Sequence, residues 1–462
     1  MRPLKDMPRV PFDPASVPDS PVATLPGWSD PVTFRELVEW RRDVHRYPEV
    51  GWGEFMATAK IASFFEKLGF DVRVGREFIN PEYVLGRNRE EVWQYEQMAI
   101  EAGIDRKLLT RMGGLTGCIA VFDTGRPGQN YGLRVELDAI KMTEPEDPDH
   151  LPFKEGFASV HRGAMHACAH DGHQAVACEL ARFIIANKAR LGGRYTFVFQ
   201  PGEEGSRGAS PIVKSGAVDD IDVMLHGHIA TERPLGTVFA APQKFFCTTK
   251  LDFKFTGQQS HAGMLPQTGR NALLAAANTS LLLMALPRHS DGSTRVNVGR
   301  LIAGEGRNVV ASHALMEVEV RGANERINAE LAREAVRRAQ GAALSFGVEC
   351  EYTVMGEASD FVPDESITQM ITVCARRARF VEEVEPKVSL NTSDDVTLMM
   401  RRVQSHGGRA GYFVVGGAIA EESEHSALDF DERALVTLYD VYTNMIVGLA
   451  GSWDNANASA SS

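Results

Sequence analysis

Apolar residues recur along the chain with two different periods, and the switch between them outlines the architecture. Across residues 33–68, "TFRELVEWRRDVHRYPEVGWGEFMATAKIASFFEKL" spaces its apolar positions three and four apart on either side of Pro48, which predicts two helices around a turn. Short β-rich runs follow at 117–122 (GCIAVF), 131–137 (YGLRVEL), 194–200 (RYTFVFQ), 222–228 (DVMLHGH) and 411–415 (GYFVV), and "QAVACELARFIIANKARL" at 174–191 reads as an amphipathic helix between two of them. Strands alternating with helices predict an α/β sheet, whose ligands gather beyond the carboxyl ends of the strands. Polar clusters fall at such ends: "ELDAI", "QPGEEG" and "HGH".

The pattern changes between residues 244 and 356. An alternating strand (249–255) is followed by a helix (271–286), two strands (295–304 and 314–321), a second helix (324–346) and a last strand (348–355). The order β-α-β-β-α-β is that of a split, ferredoxin-like α+β unit. We read 244–356 as a domain inserted into a larger one made of 1–243 and 357–462. The charged segment 86–111 reads as a helical excursion. The Pro-rich start reads as an extended arm, and the small, polar end "GSWDNANASASS" as frayed.

Composition narrows the function. A chain of 462 residues exceeds what one core usually serves, so two domains are expected. A net charge of −12 without a long Lys/Arg run argues against nucleic acid and anionic membranes as partners, and for a small molecule. The arm lacks the apolar core of a signal peptide and no stretch of about 18 apolar residues occurs, so a cytoplasmic protein is expected. Six cysteines without a CxxC pair predict reduced, mostly buried thiols.

Only Cys168 sits among other metal-ligand types. "MHACAHDGH" (165–173) reads as a loop before the helix near Gln174, in which Cys168 and His170 can converge on one ion as thiolate and imidazole. The adjacent carboxylates Glu203 and Glu204 end an apolar strand, where they repel one another unless a positive charge lies close. His226 and His228, two apart on a strand, point the same way, one as ligand and the other as its support. His425 lies in the polar "SEHSALDFDE". Taken singly, each cluster is equally a hydrogen-bonded histidine loop or a solvated acidic turn. Together, Cys168, His170, Glu204, His228 and His425 suffice for two ions sharing a ligand, with Glu203 as general base: the parts of an amide hydrolase.

The motifs "RRDVHRYPEVGWGEF", "LRVELDA", "MHACAHDGH", "QPGEEGSRGA", "FTGQQSHAGMLPQTGRNALLAAA", "RVNVGRLIAGEGRNVV", "NTSDDVTLMM" and "HSALDFDE" resemble, in order and spacing from residue 33 to 445, the amidohydrolase branch of the aminoacylase and carboxypeptidase metallopeptidase family. The resemblance implies a zinc-peptidase-like catalytic domain carrying an inserted lid and dimerisation domain. It implies two divalent ions per subunit, Mn²⁺ or Zn²⁺, on Cys168, His170, Glu204, His228 and His425, with Glu203 as the base. It further implies that His261 reaches into a second subunit's site to stabilise the oxyanion, and that Asn308 and Arg321 hold a substrate carboxylate, with Gly416 and Gly417 letting backbone amides approach the same group. The substrates implied are N-acyl amino acids with an aromatic acyl group, such as p-aminobenzoyl-glutamate or indole-acetyl-aspartate. The implied assembly is a homodimer or a pair with a related second subunit. A broader N-acyl amino acid deacylase or dipeptidase, and a non-catalytic ligand-binding partner subunit, remain the alternatives.

Four departures from the family pattern stand out. Ala169 replaces the Gly of "HACGHD", Glu136 stands at the first acid of "RxDxDA" and leaves Asp138 as the matching carboxylate, "SDDV" (393–396) replaces "SEDF", and His425 lies about one residue nearer "DFDE" than the family spacing. Within "MHACAHDGH", Cys168 and His170 are then the ligands, Asp171 orients a neighbour, and His166 and His173 are support.

Overall fold

All five β-rich runs become strands of one eight-stranded sheet in the computed structural model, which describes residues 17, 19–419 and 428–451. The strand order is Asp71–Val74, Cys118–Asp123, Arg194–Gln200, Asn130–Glu136, Val223–Pro234, Arg409–Ala418, Thr237–Phe239, Glu383–Glu385. The four central strands, Arg194–Gln200 to Arg409–Ala418, run parallel, so their carboxyl ends open on one edge. Parallel strands are covered on both faces, and Asn130–Glu136 is buried along its whole length. The helix His170–Asn187 packs on that strand, and Phe34–Arg46 packs on the helix in turn. Phe34–Arg46 starts where the sequence allows it to: Thr33 accepts from the Glu36 N–H and the Glu36 carboxylate accepts from the Thr33 N–H, a reciprocal cap.

Two boundaries differ from the sequence expectation: the strand expected over 222–228 runs on to Pro234, and one helix starts early. The helix expected near Gln174 begins at His170, so the second half of "MHACAHDGH" is its first turn rather than a loop. Ala169 sits in the left-handed region (φ 60°) and turns the chain into the helix. His170 and His173 therefore share a face by helical spacing, with ring centroids 5.8 Å apart.

The inserted region forms a separate antiparallel sheet in the order Thr294–Ala303, His313–Gly322, Cys247–Thr256, Glu349–Ala358, the ferredoxin-like arrangement expected from its periodicity. Alternation in His313–Gly322 turns Ala314, Met316, Val318 and Val320 inward, where they join Ala276 and Leu283 of the helix Ala272–Met284 and Ile327 and Leu331 of the helix Glu325–Ser345. Burying each larger side chain of this set contributes about 1.5–3 kcal/mol, enough for the unit to carry its own core. Its outer surface keeps apolar groups in water: Leu273, Leu274, Leu281 and Met284 on the helix, and Leu301 and Ile302 on the edge strand Thr294–Ala303.

The 86–111 segment folds as two helices, Arg89–Glu101 and Arg106–Met112, started by Asn88 and Asp105 caps. Glu91 pairs with Lys141 at 2.7 Å. Among the described residues no helix is long and apolar enough to cross a membrane, and all six cysteines are free thiols.

Candidate metal centre

Two of the central strands end in polar clusters singled out from the sequence, while the third cluster, "HGH", lies within the strand Val223–Pro234 rather than at its end. Beyond Asn130–Glu136, the Asp138 carboxylate accepts from the backbone N–H groups of Glu203 (3.0 Å) and Glu204 (2.9 Å), which follow the strand Arg194–Gln200. The turn is pinned on its other side as Gly202 N–H donates to Glu54 at 2.8 Å and Thr116 Oγ1 donates to the same carboxylate at 2.5 Å. Two adjacent glutamates are thus fixed with their side chains free of the turn's own hydrogen bonding.

Asp138 also orients a histidine. Its carbonyl oxygen accepts from His170 Nδ1 at 2.7 Å, and a carbonyl can only accept, so this nitrogen carries the hydrogen and Nε2 of the neutral ring presents a lone pair. That Nε2 is buried without a hydrogen-bond partner, 3.7 Å from a Glu203 carboxylate oxygen. The ligand-type atoms of Cys168, His170 and His228 lie within 4.8 Å of one another, as do those of His170, Glu203 and Glu204. Cys168 Sγ is 3.7 Å from His228 Nε2. A buried imidazole lone pair beside a thiol, a second imidazole and two carboxylates is the donor set of a divalent transition-metal ion, and the orphaned Nε2 is what such an ion would satisfy. The residues present fit the group.

The electrostatics point the same way. Burial, together with the charges of Asp394 and Glu204, raises the Glu203 carboxyl well above the usual range. Burial and the neighbouring Glu204 and Glu203 push the Cys168 thiol up as well, and burial pushes His228 down. A cation would favour the carboxylate and thiolate forms that burial disfavours, while burial already keeps His228 neutral and able to bind.

Sequence reasoning missed the layer beneath. Arg134 is fully buried in the central strand, where it pairs with Glu136, with Asp394 at 3.2 Å and with Asp395 at 3.1 Å, and donates to Gln200 at 2.9 Å. Glu136 accepts from His173 Nδ1 at 2.9 Å, because His173 Nε2 is itself the acceptor for the Ile229 N–H, also at 2.9 Å. His226 Nε2 lies 3.1 Å from the same Glu136, whereas His228 Nε2 lies 3.7 Å from Cys168 Sγ. The available signal was a pair of opposite charges two apart within an otherwise apolar central strand. A second buried network holds Asp171 between Arg41 (2.8 Å) and His45 (2.8 Å), as expected of an orienting residue, while His166 packs its ring 6.4 Å from that of His45.

The remaining expected residues are distributed as follows. His261 and Asn308 meet on the inserted unit: Val309 pairs with His261, and Ala262 N–H donates to Asn308 O at 3.0 Å. The exposed His261 ring accepts at Nδ1 from Gly263 and Met264 N–H, both at 3.1 Å, which leaves Nε2–H as an outward donor. Arg321 is held by Glu319 at 2.8 and 3.1 Å on the inserted sheet. Gly416 and Gly417 have a packing reason to be glycine, since a Cβ on the first would stand 1.9 Å from Pro234 O and on the second 2.7 Å from Ile229. His425 lies outside the described residues.

Residues 132–447 match the profile of peptidase family M20/M25/M40. The chain is 42% identical over 414 residues to a p-aminobenzoyl-glutamate hydrolase subunit homolog of Haemophilus influenzae, covering 89% of this chain and 98% of that one. It is 42% identical over 403 residues to indole-3-acetyl-aspartic acid hydrolase of Enterobacter agglomerans, covering 87% and 92%. The crystal structure of aminobenzoyl-glutamate utilization protein from Klebsiella pneumoniae shares the fold with a TM-score of 0.78 and 35% identity, covering 90% of this chain and 96% of that one. Fold, site and relatives define a metal-dependent amide hydrolase. The chain belongs to the M20 peptidase family.

Proposed function

We propose that this protein hydrolyses the amide bond of N-acyl amino acids that carry a free carboxylate and an aromatic acyl group, with p-aminobenzoyl-glutamate and indole-acetyl-aspartate as its model substrates. The observation that carries the reading is the buried, unpartnered Nε2 of His170 among Cys168, Glu203, Glu204 and His228. The names of relatives 42% identical to this chain over most of its length support the substrate class.

Cys168, His170, Glu204, His228 and His425 would hold two divalent ions, Mn²⁺ or Zn²⁺. Bound there, the ions supply Lewis acidity at the scissile carbonyl and make a water molecule acidic enough to attack it. Glu203 takes the attacking water's proton and delivers it to the leaving nitrogen, a transfer suited to a carboxylate that stands 3.7 Å from His170 Nε2. Asp138 keeps Glu203 and Glu204 at fixed reach through their backbone amides. Arg321 and Asn308 would take the substrate carboxylate, with the backbone at Gly416 and Gly417 close by.

His261 would act across a homodimer, offering Nε2–H where negative charge develops on the carbonyl oxygen of the other subunit's substrate. Its exposed, donor-ready ring supports that role, and the apolar groups left in water on the helix Ala272–Met284 and the edge strand Thr294–Ala303 support the inserted unit as lid and dimerisation surface. Six free thiols accord with a cytoplasmic enzyme.

A hydrolysis screen that varies the acyl group and the amino acid separately, with added Mn²⁺ or Zn²⁺ and without, tests the proposal. Cleavage of aromatic-acyl glutamate or aspartate well ahead of acetyl conjugates and dipeptides is expected. Even turnover across all of them would make the enzyme a broad deacylase, and failure on every carboxylate-bearing conjugate would overturn the reading.

A further inference from the structure

The chain passes between its two sheets twice, and both passages run across loops of the metal centre. On the way into the inserted sheet, Phe246 N–H donates to Thr392 O at 2.9 Å and Ser393 Oγ donates to Phe246 O at 2.9 Å, immediately before Asp394 and Asp395. On the way out, the strand Glu349–Ala358 slips register against Cys247–Thr256 between Val354 and Gly356, a bulge that re-aims the chain. It then lies directly on the turn that follows Glu203 and Glu204. Glu357 N–H donates to Ser206 O at 2.7 Å, and Ser210 Oγ donates to the Glu357 carboxylate at 2.6 Å. A Cβ on Gly356 would stand 2.0 Å from Gly205 O and 3.0 Å from Ser206 O, so the two backbones touch and a side chain has no room.

The turn needs holding. Ser206 is a non-glycine residue in the left-handed region (φ 59°) next to Gly205 (φ 93°), and its N–H closes back on Glu203 O at 2.6 Å. A residue in that region persists when its surroundings over-determine it. Ser206 is 6% exposed, and the contact over it comes from the strand leaving the inserted sheet. The opposite side of the turn is pinned by Asp138, and Arg207 ties it together by donating to Glu204 O at 2.8 Å and to Gly86 O at 3.0 Å. The reach of Glu203 is therefore set from two sides, by the large sheet through Asp138 and by the inserted sheet through Gly356 and Glu357.

We infer that Gly356 and Glu357 are positioning residues for Glu203 and Glu204, clamping their turn so that the seating of the inserted domain sets the placement of the base and its neighbouring ligand. The inference rests on the reading of Glu203 as general base. Misplacing a catalytic group by about 1 Å can cost about 100-fold in rate, so a clamp of this kind acts on turnover before it acts on substrate affinity.

The test measures kcat, KM, bound metal and melting temperature for Gly356→Ala, Glu357→Ala, Glu357→Gln and Ser210→Ala on the best substrate of the parent enzyme, with Glu203→Ala alongside. Gly356→Ala is expected to lower kcat by about 10- to 100-fold per metal-loaded, folded chain with KM little changed. Glu357→Ala and Ser210→Ala are expected to lower kcat several-fold, and Glu357→Gln, which keeps an acceptor for Ser210, to recover most of the loss. Should Gly356→Ala not fold, the Glu357→Ala and Glu357→Gln pair decides. Parent kcat per folded chain in both Glu357→Ala and Ser210→Ala, with Glu203→Ala inactive, would overturn the clamp and leave the base standing. Full turnover by Glu203→Ala would remove the base, and the clamp's premise with it.

Discussion

The carbonyl oxygen of Asp138 accepts the Nδ1–H of His170 at 2.7 Å, and that bond makes His170 Nε2 a buried lone pair with nothing to bind in the protein. Asp138 thus serves both halves of the centre, since its carboxylate holds the amides of Glu203 and Glu204. Stripping the protein with a chelator should abolish hydrolysis, and adding back Mn²⁺ or Zn²⁺ should restore it. Asp138→Ala, which removes no ligand, should weaken metal binding by about 10- to 100-fold, as supporting residues of metal sites do. Competition against a chromophoric chelator measures it, and parent affinity would contradict the role.

Arg134 should be a stability residue of the first rank. Replacing it by Met leaves Glu136, Asp394 and Asp395 buried without their shared counter-charge, and breaking a buried pair of this kind costs about 3–5 kcal/mol. Urea denaturation should show a loss of that order. A loss under about 1 kcal/mol, the worth of a surface pair, would contradict it.

These two residues also show what the sequence could and could not disclose. Glu203 and Glu204 are legible because an apolar run followed by a polar knot marks a strand's carboxyl end, and the inserted unit is legible because one-sided burial imposes strict alternation on His313–Gly322. Arg134 is not, because a charge in a strand ordinarily reads as the solvent side of an alternating pattern, while here both faces are covered. The early start of the helix at His170 escaped for a local reason: Ala169 adopts a left-handed conformation that its side chain disfavours, held in place by the buried surroundings. The clamp at Gly356 and the shared grip of Asp138 join segments far apart in sequence, and no spacing rule discloses such contacts.

The pH dependence of stability has a definite sign. Burial alone would lower the His45 pKa, but hydrogen bonds to Asp171 and Glu144 outweigh it and raise it to about 9, from an ordinary value of 6.5. Burial would raise Glu144, but His150 and His45 hold it down at about 2. The His45 contribution is complete below pH 6.5 and lost as pH rises through about 9; the Glu144 contribution is complete above its ordinary value of 4.5 and lost as pH falls through about 2. His166 acts on the acid side too: burial lowers it to about 3, so stability falls as pH drops below 6.5. Melting temperature should therefore decline from pH 6.5 toward pH 9, and His45→Gln should flatten that alkaline decline. An unaltered alkaline limb in the variant would contradict the assignment.

A trans role for His261 has a simple test. His261→Ala and Glu203→Ala homodimers should each be nearly inactive, yet a refolded mixture should regain activity, because one site of each hybrid dimer has an intact base and an intact donor. No recovery in a mixture shown to contain hybrids would confine His261 to its own subunit.

The most direct measurement of the central claim is metal content and amide cleavage by Glu203→Ala, side by side with the parent. If Cys168, His170, Glu204, His228 and His425 hold the metal while Glu203 moves the proton, the variant keeps the parent's metal per chain and loses about 10²- to 10⁴-fold in kcat. Parent turnover with metal retained would remove Glu203 from the chemistry and contradict the account.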